Sequence, residues 1–137
     1  MPNLNDSKNI AELLNCLSVV EEKVYNLYDD IAGKTEMPFV KSLFKQIAID
    51  SHKHSVILKG ISQSINETEP SSKQCMENFG PAWKTLTLAQ EEIAKIQKID
   101  KENLPWLVKR LAHFESDMGE EYFIFIQLKT KVANCRM

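Results

Sequence analysis

The chain has 137 residues, a length that fits a single domain over residues 1–137 with a substantial buried core. A net charge of −2 gives no basic surface for nucleic acid. No apolar run approaches the roughly 20 residues that a membrane span needs, so no membrane association is expected. No basic segment followed by an apolar one opens the chain, so we expect a cytoplasmic location.

The hydrophobic pattern predicts an all-α protein with four helices and no strand. Gly33 marks the end of the first helix, and Pro38 lies in the first turn of the second. Pro70 lies in the long loop that follows, and Asn103 is a predicted N-cap for the last helix. The predicted helices span residues 8–33, 37–65, 81–99 and 104–133.

The lengths of the connections predict how the helices are arranged. Short connections join helices 1 and 2 and helices 3 and 4, so each pair should form an antiparallel hairpin. The middle loop of about 14 residues can reach roughly 45 Å when extended, which is about the length of the longer helices. This length predicts a crossover loop along the bundle and an up-down-down-up order of helix directions.

Three apolar helix faces carry a polar side chain near their midpoint, namely Glu21, His54 and Glu115. The faces are Ile10-Leu14-Leu17-Glu21-Val24-Tyr28-Ile31, Val40-Phe44-Ile47-Ser51-His54-Leu58-Ile61-Ile65 and Leu104-Val108-Leu111-Glu115-Met118-Tyr122-Phe125. Carboxylate and imidazole groups inside a core cost free energy unless they are paired, hydrogen-bonded or bound to a metal. These three residues are therefore the main candidates for a functional site.

The three cysteines are Cys16, Cys75 and Cys135. Their odd number and the absence of a Cys-x-x-Cys motif argue against a disulfide framework and against a zinc ribbon. Cys16 is expected to be a small core residue, and Cys75 is expected to lie in a polar loop.

In these features the chain resembles the ferritin-like superfamily, and most closely its rubrerythrin-type bundles. The resemblance spans all four helices and rests on Glu21 and Tyr28 in the first, the stretch ending at His54 in the second, and Glu115 in the fourth. It implies a ferritin-like four-helix bundle that binds iron or another divalent metal. The implied role is iron handling or oxidant detoxification.

The dinuclear site of that family takes a Glu from each of helices 1 and 3 and a Glu-x-x-His from each of helices 2 and 4. On this chain the six positions are occupied by Glu21, Ser51, His54, Gln90, Glu115 and Met118, where a weak repeat between the two hairpins places Gln90. Ser51, Gln90 and Met118 are poor ligands for such metals. The resemblance therefore implies a reduced site, in which Glu21, His54 and Glu115 hold one Fe, Mn or Zn ion.

Two further carboxylates are candidate ligands. Asp50 precedes His54 by four residues and shares its helix face, and a small change of helix register would direct Glu92 inward instead of Gln90. Tyr28 and Tyr122 are expected to be packing groups whose hydroxyls form a hydrogen bond.

A metal-free interpretation stays open beside this one. His54 and Glu115 would then form a buried pair, and the bundle would serve as a binding or scaffold protein without a cofactor. The run from Phe123 to Ile126 is apolar on all sides, which favours a homodimer. Enzymatic activity is left open, and redox turnover would need an electron-transfer partner because the chain has no such module.

Overall fold

The structure is a computed structural model that describes residues 4–65, 75–77 and 79–135, with side chains described between residues 9 and 119. Its named helices are α1 (Leu4–Gly33), α2 (Pro38–Ile65), α3 (Gly80–Ala94) and α4 (Leu104–Cys135). The prediction of an all-α chain is confirmed, and both ends of α2 and α4 lie within two residues of the predicted bounds. Within the described residues, no helix combines the length and apolarity needed to cross a membrane.

Helices α1 and α2 form the predicted antiparallel hairpin. Near its turn, Lys45 Nζ donates to Asp29 Oδ1 at 2.7 Å. At the far end, Ser62 Oγ donates to the carbonyl of Ala11 at 2.6 Å. The two helices therefore stay in contact along most of their length.

The turns of the two hairpins meet at one end of the bundle. Thr35 forms an isolated bridge with Ile99, and the Ile99 amide donates to the Lys34 carbonyl at 2.7 Å. Lys34 Nζ also donates to the carbonyl of Ile93 at 2.6 Å, near the end of α3. Helix α3 therefore runs toward the same end as α1.

This pairing of the turns makes the order of helix directions up-down-up-down. The predicted up-down-down-up order with a lengthwise crossover loop is wrong, because the end of α2 and the start of α3 both lie away from the paired turns. A long loop permits a crossover but does not require one. The hydrogen bond between the two turns, from the Ile99 amide to the Lys34 carbonyl, has no local signal in the sequence.

The same contacts explain why α3 ends at Ala94, five residues before the predicted end at residue 99. The Ile99 amide donates to the carbonyl of Lys34, directly after α1, and does not continue the helix. The following turn is organised by Asp100, whose Oδ1 accepts from the amides of Glu102 and Asn103, each at 3.0 Å. Asp100 thus takes over the capping role predicted for Asn103.

The buried face of α2 is rotated toward α1 relative to the predicted one. It consists mainly of small side chains, and its members are Phe44, Ala48, Ser51, Ser55 and Ser62. Small residues let two helices approach closely, and Ser55 Oγ lies 3.1 Å from Ser18 Oγ in the interface. Ile61 and Ile65, which the predicted ladder placed in the core, are instead 46% and 41% exposed.

Cys16 and Cys75 form a disulfide, with their Cα atoms 5.2 Å apart. The prediction against a disulfide is wrong, and so is the assignment of Cys75 to a polar loop, since Cys75 is only 1% exposed; Cys16 is a core residue as predicted. An odd number of cysteines still leaves one pair available. The bond ties the segment before α3 to the middle of α1.

We predict that Cys75→Ala lowers the free energy of unfolding by about 4 kcal/mol, the entropy of closing a loop of this length in the unfolded chain. Urea denaturation measures the change. Cys135→Ser is the matched control, because it changes a cysteine outside the bond. Two free thiols at residues 16 and 75 in the oxidised native protein, found by alkylation and mass spectrometry, would contradict the assignment.

Candidate functional site

A cleft of about 340 Å³ lies between α1, α2 and α4. Each helix supplies one of the polar residues that the apolar ladders single out. The residues that line the cleft are Glu21, Val24, Ile47, Asp50, Ser51, His54, Phe114, Glu115, Met118 and Gly119. The three main candidates, Glu21, His54 and Glu115, are thus brought to one place.

Glu21 lies on the α1 wall of the cleft, with 22% of its side chain exposed. Burial raises the pKa of this carboxyl; His54 opposes the shift and the nearby charge of Glu115 adds to it. His54 Nδ1 is 3.9 Å from Glu21 Oε2, and 62% of the His54 side chain is exposed. His54 is therefore a cleft-mouth residue and not the buried core residue that its ladder predicts.

Glu115, on the α4 side of the cleft, is held by Tyr28 of α1. The Tyr28 hydroxyl donates to Glu115 Oε1 at 2.5 Å, and the tyrosine ring lies 6.1 Å from the ring of Phe44 between centroids. Burial raises the pKa of Tyr28, and the hydrogen bond to Glu115 raises it further. Tyr28 therefore stays protonated, and it is the packing group with a bonded hydroxyl that the sequence predicts.

The weaker candidates divide into two groups. Asp50, Ser51 and Met118 line the cleft beside the three main residues. Gln90 and Glu92 are not among the lining residues. Gln90 Nε2 lies 3.5 Å from the Lys23 carbonyl.

Glu92 has a different partner in the structure. It forms a two-point ion pair with Arg110 of α4, at 2.7 and 3.1 Å. The carboxylate of Glu92 is thus engaged between α3 and α4 and does not serve the cleft. The small change of helix register that would direct it inward is not seen.

Glu21, His54 and Glu115 line one cleft but do not form a complete metal site in the structure. Within the described part of the chain, no three His, Cys, Asp or Glu side chains are placed so that they could hold a metal ion. Glu21 and His54 face each other, and Glu115 is turned to Tyr28. What the arrangement offers is three carboxylates, that of Asp50 included, and one imidazole around a single cleft.

The Tyr28–Glu115 pairing is the feature of the site that sequence reasoning missed. Both residues lie on the predicted apolar faces of α1 and α4, and a polar group on such a face is the available signal. Tyr28 was assigned a hydrogen bond without a partner. Choosing Glu115 required the relative height of α1 and α4, which the wrong helix order did not provide.

No family model, curated protein or solved structure matches this chain. The resemblance to the ferritin-like superfamily therefore rests on the cited residues alone. The up-down-up-down order also differs from the crossover arrangement of ferritin-like bundles.

We predict that Glu21→Gln raises the melting temperature at pH 7 in chelator-containing buffer. The pKa of Glu21 is higher in the folded protein than in the unfolded chain, so ionisation of this carboxyl destabilises the fold. The stability that the protonated carboxyl contributes is lost as the pH rises through the folded-state pKa. The gain should vanish below the ordinary pKa of 4.5, where Glu21 is protonated in both states. Glu22→Gln is the control on the same helix, and an equal gain there would contradict the assignment.

A second prediction concerns the bond between α1 and α4. Tyr28→Phe keeps the ring but removes the donor to Glu115, and should lower the free energy of unfolding by about 1 kcal/mol. Chemical denaturation measures the loss. Tyr25→Phe is the matched control, because its ring contact with His52 survives the change. A loss of equal size in both variants would argue against the bond.

Proposed function

We propose that this protein binds one divalent cation in the cleft, through Glu21, His54 and Glu115. The observation that carries the proposal is the convergence of two carboxylates and one imidazole, from three different helices, on one cleft. Two carboxylates and one histidine form a donor set that suits Fe(II), Mn(II) or Zn(II), with water completing the coordination shell.

The electrostatics of the cleft favour a cation. The pKa of Glu21 is raised by burial and, to a lesser degree, by Glu115, so a full negative charge there is poorly compensated. His54 supplies partial relief from 3.9 Å. A bound divalent cation would stabilise both carboxylates in their ionised form, as metals do in such sites.

The hydrogen bond from Tyr28 is compatible with this role. It engages Oε1 of Glu115, and the second carboxylate oxygen is then the one for a cation. Outer-shell donors of this kind orient carboxylate ligands in metal sites. The donor chemistry therefore fits a metal, although Glu21 and Glu115 would have to turn toward a common point.

The biological role that we propose, iron handling or oxidant detoxification, rests on the resemblance of Glu21, His54 and Glu115 to ferritin-like ligands. A protein that cycles a bound iron needs an outside source of electrons, so any redox turnover implies an electron-transfer partner. The Cys16–Cys75 disulfide is typical of oxidising compartments. The cytoplasmic location expected from the sequence therefore does not form part of this proposal.

A metal-free helical bundle that acts as a binding or scaffold protein is the second candidate. The observation in its favour is that the cleft groups already have protein partners, Tyr28 for Glu115 and His54 for Glu21. The two proposals differ in one measurable property, the affinity of the cleft for a divalent cation.

The test compares two histidines of α2. With Zn(II) or Mn(II), calorimetric titration of the chelator-stripped protein should give about one metal per chain, and His54→Ala should weaken binding by about 100-fold or more. His52→Ala is the matched control, because His52 pairs with Glu22 outside the cleft. Binding that is absent, or that both variants reduce equally, would sink the metal proposal and favour the scaffold.

A further inference from the structure

Helix α2 carries a second apolar face that is mostly exposed among the described residues. Five of its large apolar side chains are well exposed, from 79% at Phe39 to 41% at Ile65, and the sixth, Ile47, is partly buried against the core. They lie beside the face that packs on α1. We name this face the α2 seam, and its residues are Phe39, Leu43, Ile47, Asp50, His54, Ile57, Ile61 and Ile65.

The spacing of residues along the α2 seam is symmetric about its centre. Its spacings are 4-4-3-4-3-4-4, and both directions give three apolar residues, then one polar pair, then three apolar residues. The central stretch from Leu43 to Ile61 follows the alternation of four and three residues on which helices pack knobs into holes. Symmetric spacing suits an isologous two-fold interface, in which residue i of one chain meets residue j of the other and the reverse contact follows.

We propose that the α2 seam is the docking surface for a second copy of this chain, with the two α2 helices antiparallel. This alignment places Phe39 opposite the partner's Ile65, and Leu43 opposite the partner's Ile61. It places Ile47 opposite the partner's Ile57. At the two-fold axis, Asp50 of each chain lies opposite the partner's His54, and the reverse pair follows by symmetry.

Charge complementarity sets this alignment apart from a parallel one. In the antiparallel pair, the only charged residue of the seam, Asp50, meets an imidazole at two symmetric points. A parallel pair would place Asp50 against the partner's Asp50, and like charges in contact are unfavourable. The electrostatics of the seam thus favour one relative direction of the two helices.

The size of the seam suits a dimer interface. From Phe39 to Ile65 it is about 39 Å long, at about 1.5 Å per residue. Its five most exposed apolar side chains present on the order of 500 Å² together, which is in the range of the largest functional patches on monomers. A standard interface buries roughly 800 Å² per partner, so residues that flank the seam would have to supply the remainder.

The docking bears directly on the cleft, because Asp50 and His54 belong both to the seam and to the cleft lining. His54 is close to Glu21 on one side and 62% exposed on the other. In the dimer, Asp50 of the partner subunit approaches that exposed side. Each cleft is then completed by a carboxylate from the second chain, independently of whether a metal is bound.

Sedimentation velocity in chelator-containing buffer tests the proposal on two substitutions at neighbouring residues. The chain of 15.7 kDa should sediment at twice that mass at concentrations of about 10–100 µM. Ile57→Asp should give a monomer, because it introduces two charges into the seam. Val56→Asp should leave the dimer intact, since Val56 is equally exposed at 58% but lies off the seam.

A charge exchange tests the antiparallel alignment. His54→Asp should weaken the dimer, because it faces the partner's Asp50, and Asp50→Lys combined with His54→Asp should restore it. A wild type that stays monomeric at these concentrations would overturn the proposal. So would a dimer unaffected by Ile57→Asp, or an Ile57→Asp monomer whose melting temperature falls well below that of Val56→Asp, since Ile57 would then pack within its own chain.

Discussion

The architecture depends on helix α1, which must bury side chains against all three of the other helices. It meets α2 along a strip of small residues that includes Ser18 and Ser55. It meets the segment before α3 through the Cys16–Cys75 disulfide, and α4 through the hydrogen bond from Tyr28 to Glu115. One apolar stripe is too narrow to contact three neighbouring helices. Hydrogen bonds and a disulfide therefore form part of the contacts of α1.

The sequence predicts local structure better than the relation between helices. Helical periodicity, with breaks such as Pro38, determines where α1, α2 and α4 lie. The order of directions depends on the contact between Lys34 and Ile99, which are far apart in sequence and carry no local signal. The buried face of α2 was misplaced for a related reason: an apolar ladder shows which residues need cover, but not which neighbour supplies it.

The candidate site shows the same division. Glu21, His54 and Glu115 were selected because polar groups amid apolar ladders need a partner, and the structure does bring them to one cleft. The actual partners were not predictable, since they depend on how α1, α2 and α4 are staggered. Glu115 is the residue that distinguishes the two candidate functions. Tyr28 donates to one of its carboxylate oxygens, and the other oxygen is the one that a cation would bind.

A cation bound by Glu21, His54 and Glu115 can be detected directly by crystallography. In crystals grown with Zn(II) or Mn(II), an anomalous difference map should show one peak per chain, within coordination distance of Glu21, His54 and Glu115. Tyr28 should still donate to Glu115 in that structure. A cleft without a peak under metal-replete conditions, with Glu21 still paired to His54, would contradict the account.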